Sequence, residues 1–99
     1  MVKRKWIDKD RLLKELDFKL FYKTLVKSFR ECSSEQAIGI CPFHIDHTPS
    51  LSINIKNGLW DCFSGCGGGN VFTFYMKLKG INFFTAIKEI QNASNKQFN

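Results

Sequence analysis

Residues 41–66 contain, in order, Cys41-Pro42-Phe43-His44, Leu51-Ser52-Ile53-Asn54-Ile55, Asn57-Gly58, Leu59-Trp60-Asp61-Cys62 and Phe63-Ser64-Gly65-Cys66. The middle of this stretch is a hairpin pattern. Apolar and polar residues alternate from Leu51 to Ile55, as in a strand with one buried face. Asn57-Gly58 is the pair preferred in a type I′ turn, where both central residues need positive φ. A two-residue loop sets Ile55 opposite Trp60 and Ile53 opposite Cys62. Leu51, Ile53, Ile55, Trp60 and Cys62 then share one face, with Ser52, Asn54, Lys56, Leu59 and Asp61 on the other.

The hairpin separates two short-spaced pairs. Cys41 and His44 form a C-x2-H pair, and Cys62 and Cys66 form a C-x3-C pair. Zinc takes four nitrogen or sulfur ligands in a tetrahedron, and two such pairs brought to one end of a hairpin supply them with little strain. Cys41, His44, Cys62 and Cys66 are therefore the expected ligands of one structural Zn²⁺. Three thiolates and one imidazole leave no open position for a reacting water. The plain alternatives are core cysteines beside a surface histidine, or a disulfide. Cys32 falls in a polar turn and reads as a free thiol, and His47 as a surface residue that could stand in for His44.

The chain has 99 residues, which suits one small domain for which a metal clamp would supplement a limited core. Its 43% hydrophobic content and ten Phe are those of a folded domain. It has no apolar run of membrane-spanning length and no secretory pattern at its start, so the expected location is cytoplasmic and no membrane partner is expected. In that reducing compartment spaced cysteines are more often ligands than disulfides. The net charge of +6 is confined to residues 1–30, which carry ten Lys or Arg against four acids. Such a segment favours phosphate-rich partners. No paired-carboxylate, nucleophile or phosphate-loop motif is present, so the expected role is binding rather than catalysis.

Outside the hairpin, residues 8–26 read as a helix capped by Asp8 or Asp10. Leu13, Leu16 and Leu20 share one face, and a break is possible at Asp17-Phe18. Residues 27–31 and 36–40 read as short strands joined by Cys32-Ser33-Ser34-Glu35. Gly67-Gly68-Gly69 breaks the chain. Asn70 caps a helix over 71–79 ended by Gly80, and Asn82 caps another to about 91 that buries Phe83 or Phe84, Ile87 and Ile90. Residues 92–99 read as a frayed tail.

Taken in order, Cys41-Pro42-Phe43-His44, Thr48-Pro49-Ser50-Leu51, Trp60-Asp61-Cys62-Phe63, Gly65-Cys66-Gly67 and Gly69-Asn70-Val71 resemble the CHC2-type zinc finger of bacterial-type DNA primases. The resemblance spans about 17–91, with 1–16 as a basic helical extension of a single domain over 1–99. It implies an α+β fold: a small zinc ribbon on an antiparallel β-sheet flanked by helices. It also implies contact with single-stranded template DNA in replication priming, with primer synthesis belonging to a separate catalytic domain. A primase catalytic subunit or a replicative helicase is the implied protein partner. Two features depart from the family: the C-x3-C spacing, where C-x2-C is its main form, and Ile45-Asp46-His47 in place of a more polar stretch.

Single-strand binding asks for cations along the backbone and aromatic faces for bases. The candidates are Lys27, Arg30, Lys56, Lys77 and Lys79, with Trp60, Phe43 and Phe63 as stacking surfaces. The hairpin register points Trp60 toward the core, and Phe43 and Phe63 sit inside the knuckles, where they would shield the metal. The competing functional reading is a stand-alone adaptor that docks on a replication protein through its Phe-rich helices.

Overall fold

The computed structural model of the chain describes residues 9–43 and 49–98. The N-terminal helical segment is broken in two, α1 (Lys9–Glu15) and α2 (Phe18–Leu25). The break belongs to Asp17. Its backbone is extended, with φ −83° and ψ 99°, and its carboxylate accepts the Leu20 N–H at 3.0 Å, capping α2. The apolar stripe changes as a result. Leu12, Leu16, Phe21 and Tyr22 are buried, while Leu20, expected on the buried face, turns toward solvent. Asp8, a candidate cap, lies outside the described residues.

Five strands follow: β1 (Lys27–Glu31), β2 (Gln36–Ile40), β3 (Leu51–Asn54), β4 (Trp60–Cys62) and β5 (Gly67–Gly69). They form one antiparallel sheet in sequence order. β1 and β2 fall where the sequence places them. The β3–β4 hairpin does not take the expected two-residue loop. Ile53 pairs with Trp60 and Leu51 with Cys62, a register two residues away from expectation. The loop is longer because Asn54 closes it: its side-chain oxygen accepts from the N–H groups of Lys56 (2.9 Å) and Asn57 (3.0 Å). Gly58, with φ 82°, turns the chain back, and Asn57 is not in the left-handed region. A shift of two preserves side-chain parity, so Leu51, Ile53, Trp60 and Cys62 still share the buried face.

β5 is a second departure. The three glycines do not merely interrupt the chain; they pair along β4, with Gly69 opposite Trp60, Gly68 opposite Asp61 and Gly67 opposite Cys62. The absence of side chains permits this. A Cβ on Gly68 would stand 2.8 Å from the Trp60 carbonyl oxygen, and one on Gly69 would collide with Thr73 at the start of the next helix.

The inner face of the sheet, built from Ala37, Leu51, Ile53, Trp60 and Cys62, packs with Tyr22, Val71, Phe72, Phe74 and Ile90 into one core. The outer face carries Ile38 and Ile40, half-buried, with Ser52 and the exposed Asp61 beside them. Helices α3 (Val71–Lys79) and α4 (Phe83–Phe98) complete the α+β fold. Asn70 caps α3 as expected, accepting from the Thr73 N–H at 3.0 Å. Helix α4 runs past residue 91 to Phe98 rather than ending in a frayed tail. Ile87 and Ile90 are buried, but both Phe83 and Phe84 are exposed, against expectation. Phe83 keeps one edge contact, with Phe72 at 5.5 Å.

Candidate metal centre and nucleic-acid face

Cys41 follows β2, Cys62 ends β4 and Cys66 precedes β5, so three strand ends deliver the three thiols to one point. Their Sγ atoms lie within 4.8 Å of one another. A tetrahedral zinc with Zn–S bonds of about 2.3 Å asks for sulfurs about 3.8 Å apart, so the spacing suits a common ion. The surroundings suit it as well. The Phe43 N–H donates to the Cys41 sulfur, and the N–H groups of Ser64 and Cys66 donate to the Cys62 sulfur. Ser50 Oγ stands 3.8 Å from Cys62 Sγ. These donors are what a thiolate-rich site requires to spread its negative charge.

The thiols differ in acidity. Burial pushes Cys41 up to about 12, opposed by the Phe43 N–H and reinforced by the neighbouring thiols. Burial also pushes Cys62 up, but the two backbone N–H groups and the hydrogen bonds from Cys41 and Ser50 bring it down to about 7. Burial raises Cys66, partly offset by the charge of Lys77. Cys62 is the ready thiolate, and a bound ion would deprotonate the others. His44 and His47 lie outside the described residues. Cys32 is exposed and free, away from this cluster.

The candidate nucleic-acid residues scatter over several elements. Lys27 pairs with Ile40 and Arg30 with Ile38, so both belong to the outer sheet face. Residues three apart in a regular strand point to opposite faces. Here β1 bulges between them, with Ser28 in the left-handed region at φ 57°, and the extra residue restores the shared face. Sequence reasoning missed this device, since nothing in Lys27-Ser28-Phe29-Arg30 marks a bulge. Neither cation is held in an ion pair among the described residues.

The other candidates are placed differently. Lys56 is at the hairpin tip, 3.5 Å from Glu35. Lys77 and Lys79 are in the last turn of α3, over the rings of Phe43 and Tyr75 at 5.4 and 5.7 Å. Trp60 is 4% exposed; its indole N–H donates to the Asn70 carbonyl (3.0 Å) and to Thr73 Oγ1 (3.2 Å), and its ring meets Phe43 and Phe74. It is a core residue with no free face for a base. Phe43 is half-buried in the same aromatic cluster. Phe63 does not shield the metal: it is 71% exposed. It lies in the C-x3-C knuckle, in which Gly65 takes a left-handed φ of 92° with open space around it.

A thiol cluster at one end of a small antiparallel sheet, joined to it by short knuckles, defines a zinc ribbon. The family model described as CHC2 zinc finger matches residues 7–99, and the chain belongs to that family. Three thiols so placed fit one structural zinc ion. Among similar proteins, the DNA primase of Halalkalibacterium halodurans is 44% identical over 59 residues, covering 59% of this chain and 10% of that protein. The DNA primase of Geobacillus stearothermophilus is 49% identical over 53 residues, covering 52% and 9%. The chain thus spans about a tenth of the length of these curated relatives. Among solved structures, the Aquifex aeolicus primase, comprising zinc-binding and RNA polymerase domains, superposes with a TM-score of 0.71. That match has 26% identity and covers 87% of this chain and 21% of that one. No helix among the described residues is long and apolar enough to cross a membrane.

Proposed function

We propose that the chain is a template-contacting zinc module of primase type. His44 completes the ligand set of Cys41, Cys62 and Cys66, and the outer sheet face meets single-stranded DNA where primer synthesis begins. The observation that carries this reading is the alignment of Lys27 and Arg30 along one open face by the β1 bulge. Two cations with no ion-pair partner among the described residues, beside half-buried isoleucines and small polar side chains, suit a strand whose phosphates need charge and whose bases need flat apolar contact. Phe63, exposed at the knuckle, is the aromatic available for stacking. The match to proteins named DNA primase supports the priming context. Primer synthesis would lie with a catalytic primase domain or subunit, with a replicative helicase as a further partner, in the cytoplasm.

The test is titration of single-stranded DNA at two or more salt concentrations with the parent chain and a K27Q/R30Q double variant, zinc content being verified for each. Each neutralised phosphate contact contributes about 0.7 to the logarithmic salt slope, so the double variant should bind more weakly with a slope flatter by about 1.4. An unchanged slope would remove the outer face from the interface.

A further inference from the structure

We infer that Lys77 is the fixed counter-charge of the zinc centre rather than a contact for DNA: its ammonium, seated over the Phe43 ring near Cys66, offsets the negative charge of the metal site and retards metal loss. The inference rests on the reading of the site as one zinc held by three thiolates and a neutral imidazole. Such a site carries a net charge near −1. Hydrogen bonds from backbone N–H groups spread that charge, but they do not cancel it.

Lys77 is placed to do so. It stands in the last turn of α3, and its Nζ is 5.4 Å from the centroid of Phe43. Phe43 belongs to the first knuckle, where its N–H donates to the Cys41 sulfur. The same ammonium acts electrostatically on Cys66 of the second knuckle. One side chain thus lies against the aromatic ring of the first knuckle and within electrostatic range of the second. The ring face confines the ammonium, since a cation over an aromatic is attracted to its quadrupole. Lys79, two residues on in the same helix, sits over Tyr75 instead and serves as an internal control.

Lys77 is solvent-exposed, so its effect on the centre is moderate and screened by salt. Groups outside the ligand set nevertheless govern how firmly a metal is kept.

The experiment follows zinc release from the full zinc-loaded chain to a chromogenic chelator, at low and at moderate salt, with no nucleic acid present. K77M should release zinc about 3- to 10-fold faster at low salt, and the difference should shrink as salt rises. K77R should restore the parent rate to within about twofold, because it restores charge without restoring shape. K79M should release zinc as the parent does. K77Q repeats the measurement with a polar side chain if K77M perturbs the fold, with far-UV circular dichroism checking each variant. A parent-like rate in both neutral variants overturns the inference, as does a K77R rate equal to that of K77M. Because DNA is absent, failure of the template-contact reading would leave these rates untouched.

Discussion

At the scale of single residues, the chemistry is carried by three thiols with unlike acidities. A zinc ion competes with protons for them, so the sign of its pH dependence is set: as pH falls, thiolates are protonated and the metal is displaced. Without metal Cys62 is lowered to about 7 and Cys41 raised to about 12, so a zinc ion bound to Cys41 must displace that thiol's proton to solvent. Zinc retention, read by elemental analysis after dialysis across a descending pH series, should therefore fall as the solution is acidified. Retention independent of pH would mean that the thiols are not the ligands. Cys62→Ser should abolish stoichiometric binding. His44→Ala tests the proposed fourth ligand and should weaken affinity without scattering the three sulfurs. The cysteines were legible from spacing alone, and the core role of Trp60 from strand parity. The exposure of Phe63 was not, because it depends on how the second knuckle packs on the rest of the molecule and not on the residue type.

At the scale of elements, register and bends turn on a few backbone positions. Gly58 is buried at the β3–β4 loop with positive φ, and a Cβ there would stand 2.7 Å from the Phe18 ring. Its carbonyl also accepts the Tyr22 hydroxyl at 2.6 Å, tying the hairpin tip to α2. Gly58→Ala should cost about 2–4 kcal/mol, combining left-handed strain with overpacking, whereas Gly65→Ala, strained but with open space around it, should cost about 1 kcal/mol. Urea midpoints at constant m-value measure both. Tyr22→Phe should cost about 1–2 kcal/mol by leaving a buried carbonyl unpaired. In β1, Ser28→Val should destabilise the bulge by about 1–2 kcal/mol, since a β-branched residue resists positive φ. It should also weaken single-strand binding by turning Lys27 off the outer face. The Asn57-Gly58 pair correctly announced a turn, but the type was set by Asn54 capping the loop.

At the scale of the whole molecule, β2, β4 and β5 meet at the thiol cluster, and the helices close over the opposite, inner face of the sheet. Tyr22 and Trp60 each meet Phe74 edge to face there, and Phe72 packs in the same core. For a domain of this size, metal binding and folding are coupled. Chelation should therefore lower the melting temperature steeply and reduce the far-UV circular dichroism, with recovery on zinc addition. A melting curve indifferent to chelator would separate the metal from the fold. The asymmetry of charge is also a property of the whole: the balance of +6 lies in residues 1–30, and residues 31–99 are neutral. Among the described residues, Lys27 and Arg30 carry part of that charge onto the outer face of the sheet.

The sequence by itself determined the three clustered cysteines, the β1 and β2 boundaries, the cap at Asn70, the possibility of a break at Asp17-Phe18, and which hairpin residues face inward. All of these depend on residues a few positions apart, where spacing, capping and two-residue alternation act directly. Tertiary structure decided the rest: the hairpin register, the recruitment of Gly67–Gly69 as a fifth strand, the exposure of Phe63, Phe83 and Phe84, and the sharing of one face by Lys27 and Arg30. Each of those turns on which distant backbone a segment pairs with or packs against, and no local pattern carries that choice.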